Sequence, residues 1–439
     1  MRKLNFEFSA IEVYSAPRRP EGQKDVLELK FPPIEKVRVA FIGVGLRGSK
    51  AVKRFTYLDG VEIKIFCDIN KKNISKVQQT LAEANLPAAE EYTGGEAWKE
   101  VCKRADIDLV YIATKWEMHT EQAVYAMEQG RHVAVEIPAG QTVEECWKLV
   151  DTAEKTQRHC MGLENCLYDT FPMATYKMAE DGLFGEIVHV EGGYIHNLRS
   201  RNFVDGERTD SGWDLKHLEK RNGNIYPTHG FGPICHVLNI HRGDKLEYIV
   251  SMSGKQVGMS EYTKATFGEE HEFSKKDYKL GDYNTSLIKT AKGKTMLLQQ
   301  NITNPRPYSR LFMVSGTKGM AVQYPKEAIA LDPDGEEFLP ENKKDELLEK
   351  YKHPVIKEVG ELAAKVGGHG GIDFIMDYRL IYCLRNGLPL DQDVYDAAEW
   401  ASIAELSEIS VANDSMPVKI PDFTRGAWKK LNKVKYYQK

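Results

Sequence analysis

Three short stretches place proton-carrying side chains where the backbone would hold them in position. In Tyr226-Pro227-Thr228-His229 a phenol and an imidazole stand three residues apart across a proline, in a glycine-flanked turn leading into a helical pattern. Both can therefore face one pocket, and imidazole titrates closest to neutrality, which suits it to acid–base work. Tyr308 lies between Pro307 and Ser309 where a strand is about to begin. Proline makes that loop rigid and so suits a positioned phenol. His369 sits in Gly367-Gly-His-Gly-Gly371. Four glycines have nothing to pack and reach positive φ freely, so the imidazole rides on a loop able to close over a ligand. The bland alternatives are a satisfied structural histidine at 229, a sheet tyrosine with its hydroxyl at the rim at 308, and a flexible linker at 369.

A different chemistry is written into Val37-Arg-Val-Ala-Phe-Ile-Gly-Val-Gly-Leu-Arg-Gly48. An apolar, β-branched run runs into G-x-G-x-x-G where a helical pattern begins. Gly43 allows a tight turn, Gly45 lets the backbone approach a pyrophosphate, and Gly48 lets helix pack on strand. Leu46 and Arg47 fall in the first turn, whose unpaired N–H groups face the anion. The next strand, residues 61–67, ends on Asp68, 20 residues after Gly48. A carboxylate there accepts from ribose hydroxyls and repels a 2′-phosphate, which favours NAD over NADP. Two further loops lie beyond carboxyl ends of strands and should border the nicotinamide. One is Thr114-Lys-Trp116-Glu-Met-His119, the other Val135-Glu136-Ile137-Pro138.

The elements that must position these groups alternate from residue 37. Strands at 37–44, 61–67, 107–112, 131–135 and 159–163 are separated by helices at 47–58, 71–84, 120–129 and 142–156, the grammar of a doubly wound parallel sheet. After that the pattern changes. A helix near 172–181 precedes strand candidates at 185–195, 245–256, 284–290, 294–300, 310–315 and 319–323. Consecutive strands imply an open, mostly antiparallel sheet in an α+β unit. Residues 200–232 are too irregular for either period. Helical patterns return at 371–386 and 393–412, the latter read as amphipathic. The expected fold is α/β, with a tail or strap at 1–36, a dinucleotide-binding domain at 37–163, a substrate-binding domain at 164–390, and a helix and tail at 391–439 packing back on the body.

At 439 residues two domains are the default, and 60 basic against 64 acidic side chains give no global electrostatic case for nucleic acid or membrane binding. A small molecule or glycan is the expected partner. No apolar run reaches membrane-spanning length, and residues 1–36 lack the apolar centre of a signal peptide, so the compartment stays open. The seven cysteines are scattered without C-x-x-C. Neither H-E-x-x-H nor a Cys/His quartet occurs, so no metal is expected, and no G-x-S-x-G elbow supports a serine hydrolase.

G-x-G-x-x-G, the acid after strand two, Ala113-Thr114 with His119, and Glu136-Ile-Pro138 resemble the Gfo/Idh/MocA oxidoreductase superfamily, over about residues 37–390. That resemblance implies a Rossmann domain followed by an open-faced sheet domain. Sugar dehydrogenases of the superfamily carry Glu-Lys-Pro where Ile137 replaces the lysine here, and their D-x-G-x-H signature aligns with Thr228-His229-Gly230-Phe231-Gly232. Four further stretches are similar to glycoside hydrolase family 109: Asn222-Gly-Asn-Ile-Tyr-Pro-Thr-His-Gly-Phe-Gly-Pro233, Asn304-Pro-Arg-Pro-Tyr-Ser-Arg310, Gly367-Gly-His-Gly-Gly371 and Pro421-Asp-Phe-Thr-Arg-Gly-Ala-Trp428. This second resemblance implies an NAD-dependent α-N-acetylgalactosaminidase. Its redox-neutral cycle oxidises the sugar at C3, eliminates the aglycone after proton loss at C2, adds water and reduces C3 again, one of the NAD-dependent exceptions to paired glycosidase carboxylates. It also implies catalytic roles for His229, Tyr308 and His369, and sugar contacts for Glu164, Tyr194 and Tyr226. Trp213-Asp214 departs from it, an acid standing where an arginine is expected, which leaves a different hexosamine open. The competing readings are a sugar oxidoreductase that releases NADH and a non-enzymatic NAD sensor. The resemblance also implies an exported or periplasmic setting, and the open sheet face offers a surface for a homo-oligomer.

Overall fold

The computed structural model describes residues 10–204, 207–208 and 215–433. Residues 37–162 form a six-stranded parallel sheet: β1 (Val37–Ile42), β2 (Val61–Cys67), β3 (Glu90–Tyr92), β4 (Leu109–Ile112), β5 (His132–Val135) and β6 (Cys160–Gly162), in the order β3-β2-β1-β4-β5-β6. The reversal beside β1 is the switch point of a doubly wound sheet. Five helices connect the strands: α1 (Leu46–Phe55), α2 (Lys71–Glu83), α3 (Ala97–Lys103), α4 (Trp116–Glu128) and α5 (Val143–Thr156). β1, β4 and β5 are buried almost throughout because helices cover both faces. The expected start of a helix at 120 is corrected to Trp116. Lys115 is the extended cap residue, so Trp116 and His119 ride on α4 rather than on a loop.

α6 (Thr170–Glu180) then leads to β7 (Ile187–Ile195), the short hairpin β8 (Phe203–Val204) and β9 (Glu207–Arg208), α7 (Leu215–Lys220) and α8 (Thr228–Val237). The remaining strands are β10 (Leu246–Ser253), β11 (Asn284–Thr290), β12 (Thr295–Asn301), β13 (Met313–Gly316), β14 (Gly319–Val322), β15 (Ala328–Leu331) and β16 (Val418–Lys419), with α9 (Gly258–Phe267), α10 (Glu341–Lys350), α11 (Pro354–Val366), α12 (Ile372–Asn386) and α13 (Val394–Ala412). The second sheet runs β15-β14-β13-β7-β12-β11-β10-β16. Every pairing in it is antiparallel except β7 with β12. β11 alternates buried and exposed side chains because α8 and α13 cover one face only. Val188, Met252 and Leu287 stand exposed on this sheet.

Helix 394–412 is not amphipathic. Its polar residues Asp396, Glu399, Ser402, Ser407 and Ser410 are buried along with its apolar ones, because α13 is packed between α5 of the first sheet and β10 of the second. Among the described residues no helix is long and apolar enough to cross a membrane.

Candidate active site

The centre of the site is a turn rather than a strand or helix. Glu164 follows β6 and caps the single 3-10 turn Asn165–Tyr168, its Oε1 accepting from Cys166 N at 2.9 Å. The same oxygen lies 2.8 Å from His229 Nδ1, and Cys166 Sγ lies 3.3 Å from that nitrogen. His229 is the second residue of α8, an end where the helix dipole opposes a positive charge. The carboxylate reverses that preference. Burial opposes charge on the imidazole, yet Cys166 and Glu164 together push its pKa up to about 10. Burial likewise works against the Glu164 carboxylate, but His229 draws it below its usual value. The pair is therefore charged at neutral pH. His229 Nε2 has no hydrogen-bond partner among the described residues.

Backbone contact sets this geometry. α8 crosses β7 where glycine meets glycine: a Cβ on Gly230 would lie 2.1 Å from Gly193 N, and one on Gly192 2.2 Å from Gly230 O. That close approach brings His229 beside Tyr194, ring centroids 5.2 Å apart. Tyr226 lies 5.1 Å from His229 and 5.2 Å from Tyr194, and stacks on Trp116 at 5.6 Å with 12° between planes. Tyr308 is fixed next to this cluster because Ser309 pairs with Ile195 through two backbone hydrogen bonds of 2.9 and 3.0 Å. Its ring is 6.4 Å from Tyr194 and 5.0 Å from His196, and it is 43% exposed at the mouth of the site. Burial pushes the Tyr308 phenol up while the Arg310 guanidinium, 6.0 Å from the ring, acts against that rise. Arg310 is itself paired with Asp169.

His369 lies on the far side of the same turn. Its φ is +46, in the left-handed region, as are those of the glycines on either side. Gly371 is required there, since a Cβ would meet the Ala363 carbonyl carbon at 2.8 Å. The ring does not swing freely in this state. Nδ1 is held by Asp373 Oδ2 at 2.9 Å and lies 3.3 Å from Asn165 Nδ2. Asp373 is buried and also faces Arg47 at 3.7 Å and Arg54 at 3.6 Å. Burial works against this carboxylate, but His369 and the two arginines hold it well below the usual range. Arg47 in turn pairs with Glu136 at 2.9 Å. One chain of contacts thus joins the glycine turn to His369.

That turn fits a dinucleotide. Gly43 has φ +82 and no room for a side chain, a Cβ meeting Ala113 O at 2.6 Å; a Cβ on Gly48 would meet Gly43 O at 2.0 Å. Above Gly45 the nearest atom would be 3.7 Å away, so the outer side is open to a ligand. α1 has no side-chain cap and no acid in its first turn, which leaves its N–H groups to an anion. Asp68 is buried, its Oδ2 accepting from Val44 N at 2.8 Å and its Oδ1 from Asn70 N at 2.8 Å, so the acid braces the turn.

Residues 37–162 match the NAD-binding Rossmann fold of the oxidoreductase family, and residues 168–430 match the C-terminal domain of glycosyl hydrolase 109. The chain is 54% identical over 413 residues to an alpha-N-acetylgalactosaminidase of Bacteroides fragilis, covering 94% of this chain and 97% of that one. The chain belongs to glycosyl hydrolase family 109. A family 109 protein of Porphyromonas gingivalis is 51% identical over 437 residues, 96% of this chain and 91% of that one. Solved structures share the fold at much lower identity. An NAD-binding oxidoreductase from Klebsiella pneumoniae superposes with a TM-score of 0.66 at 14% identity, over 88% of this chain and 99% of that one. Levoglucosan dehydrogenase in complex with NADH and levoglucosan superposes at 0.61 and 17%, over 88% and 100%. This family 109 chain is thus a glycosidase built on a fold that takes an NAD-type cofactor.

Of the residues singled out from sequence, Glu164, Tyr194, Tyr226, His229, Tyr308 and His369 gather around the Asn165–Tyr168 turn. Gly43, Gly45, Leu46, Arg47, Gly48, Asp68 and Glu136 line or brace the cofactor turn. Three of the expected cofactor residues do other work. His119 is buried with Nδ1 2.8 Å from Pro138 O and Nε2 3.2 Å from Thr114 O, so it clamps the two loops together instead of presenting a nitrogen to a ligand. Thr114 donates its hydroxyl to Gln122 at 2.7 Å, and Trp116 packs in a cluster with Ile137, Tyr194 and Tyr226. Trp213 and Asp214 lie outside the described residues. The reading missed Cys166, His196, Arg310 and Asp373. His196 had a signal: it follows Tyr194 by two, the spacing that puts side chains on one face of a strand, and Tyr194 Oη lies 3.0 Å from its Nδ1.

Proposed function

We propose that this family 109 glycosidase removes terminal α-linked N-acetylgalactosamine and keeps its NAD bound throughout, with no net redox change. NAD on the Gly43 to Gly48 turn supplies reversible hydride exchange at a sugar carbinol carbon, which acidifies the neighbouring C–H and lets the aglycone leave by elimination. The observation that carries the reading is the pair of a half-buried His229 with a fully buried Glu164. An imidazolium held charged near neutrality donates from Nε2 to an oxygen on which negative charge develops, in a site sheltered from water. It is a poor base there, which refines the general acid–base expectation for this histidine. Tyr308 is assigned to the proton transfer at carbon, because its hydroxyl stands at the mouth of the site and makes no hydrogen bond among the described residues, and Arg310 partly offsets the rise that burial imposes on the phenol. His369 Nδ1 is held by Asp373, which leaves its Nε2 to protonate the departing oxygen. Tyr194 and Tyr226 offer ring faces to the sugar.

The position that carries lysine in related sugar dehydrogenases is filled here by Ile137, packed into the aromatic cluster with Trp116 and Tyr194, and this disfavours a released-NADH oxidoreductase. Turnover of p-nitrophenyl α-N-acetylgalactosaminide in D2O should leave deuterium at C2 of the released sugar without accumulation of reduced nicotinamide. Retention of the original C2 hydrogen alone would exclude the elimination route. Denaturing the purified enzyme should release nicotinamide, the sign of tight retention. The uncovered sheet face carrying Val188, Met252 and Leu287 supports self-association of this chain, and light scattering reads whether it occurs.

A further inference from the structure

The Asn165–Tyr168 turn and α8 bring three different donors to one point. Glu164 Oε1, Cys166 Sγ and His229 Nδ1 all lie within 4.8 Å of one another. Nitrogen to sulfur is 3.3 Å and nitrogen to oxygen 2.8 Å. Ligands about 2.0–2.3 Å from a tetrahedral zinc are separated by roughly 3.3–3.5 Å, so small adjustments of side chains seat an ion among these atoms. A second observation points the same way. Glu164 Oε2 is buried and meets no N–H or cationic donor among the described residues, only the Thr228 hydroxyl. A buried carboxylate oxygen answered by one neutral hydroxyl keeps the capacity to meet a cation. The nearby positive charge of Arg310 is answered by Asp169. Cys166 and His229 also border a narrow cleft with Arg310 and Phe312.

We propose that Glu164, Cys166 and His229 form a site for one borderline-soft divalent cation of the zinc type, and that its occupation shuts the glycosidase off. One thiolate, one imidazole and one carboxylate match the ligand preferences of such ions. On binding, metal–sulfur, metal–nitrogen and metal–oxygen bonds form. The S–H bond of Cys166 and the Nδ1–H bond of His229 break, two protons pass to solvent, and nothing is oxidised. His229 Nδ1 is thereby turned from the Glu164 carboxylate to the ion, and the Glu164–His229 contact invoked in the proposed reaction is lost. The shut-off half of this inference rests on that reading; the binding half does not.

The test uses the purified enzyme with its cofactor, stripped of metal by a chelator and titrated with Co2+ alone. One equivalent should produce thiolate-to-cobalt charge-transfer absorption, displaced by Zn2+, and either ion should abolish hydrolysis of the nitrophenyl glycoside until chelator is added. Cys166→Ser should remove the absorption and weaken inhibition by at least the roughly 10–100-fold that loss of an outer-shell partner costs. Should Cys166→Ser fail to fold, X-ray absorption of the zinc-loaded wild type should show one sulfur in a mixed shell. Absence of the charge-transfer band, its persistence in Cys166→Ser, or a shell of nitrogen and oxygen alone would overturn the site. A band without inhibition would leave the site standing, overturn the shut-off, and take His229 out of the proposed reaction.

Discussion

The charge on His229 depends on two neighbours, Cys166 and Glu164. Remove the Glu164 carboxylate and burial, which lowers the imidazole, is no longer opposed by that partner. Glu164→Gln should therefore bring the His229 pKa down from about 10 toward or below its ordinary 6.5, read by NMR titration of the ring. Loss of a charged donor of this kind costs about 10²–10³ in kcat. The basic limb of the pH–rate profile should move to lower pH. The same linkage shapes stability: because the folded His229 pKa lies above 6.5, its contribution is complete below pH 6.5 and is lost as pH rises toward 10. Glu164, held below its usual value, contributes above that value and loses its share as pH falls. A separate expectation divides Tyr308 from His369. His369→Ala should harm substrates with poor leaving groups far more than nitrophenyl glycosides, by up to roughly 10²–10⁴-fold. Tyr308→Phe should slow both alike, since in the proposed cycle it acts before the bond to the aglycone breaks. Equal losses on both substrates for His369→Ala would assign that histidine to binding.

At the scale of elements, the placement of His229 rests on a helix and a strand in backbone contact. Gly230→Ala puts a methyl 2.1 Å from the Gly193 amide nitrogen, where no flexible side chain can give way. We expect a cost beyond the ~1–3 kcal/mol typical of overpacking, seen as a lower Tm, with activity falling further than stability because His229 leaves Glu164. How far the elements were legible follows from their chemistry. β1, β4 and β5 are apolar runs and read directly, as does the glycine turn. β3 is three residues, Glu90-Glu-Tyr92, with exposed side chains, and carries no period. α10 buries only Lys344, so its charged sequence gave no apolar stripe. α13 misled for the opposite reason. Its polar residues imitate a solvent face but are satisfied inside, Asp396 by Arg242 at 2.6 Å, Glu399 by His241 at 2.9 Å, and Ser410 by the Ser251 amide at 2.9 Å. Cys166 left no trace at all, because its partner His229 lies 63 residues away and no spacing rule connects them.

On the scale of the whole molecule, both chain ends converge on one buried carboxylate. Glu154 on α5 receives Arg19 of the N-terminal strap at 2.9 Å, the Tyr395 hydroxyl of α13 at 2.6 Å and Arg425 of the C-terminal segment at 2.5 Å. The strap is also tied by the Val26 amide to Tyr395 Oη at 3.1 Å, and near its start Ile11 bridges Val418 of β16. The strap therefore runs from the edge of the second sheet to the helices covering the first, and Glu154 is where the two supports meet. Glu154→Ala leaves a buried Arg425, 6% exposed, without this partner, although Asp151 remains beside it. Breaking a buried pair from one side costs about 3–5 kcal/mol. The expected result is a fall in stability of that order in denaturant titration, with faster hydrogen exchange in residues 10–36 and 421–430. The Asn165–Tyr168 turn should keep its protection, because Asn165 is held by Asp373 and His369 and the Cys166 amide by Glu164. Uniform loss of protection over the whole chain would instead show that the strap, Glu154 and the catalytic turn unfold as one unit.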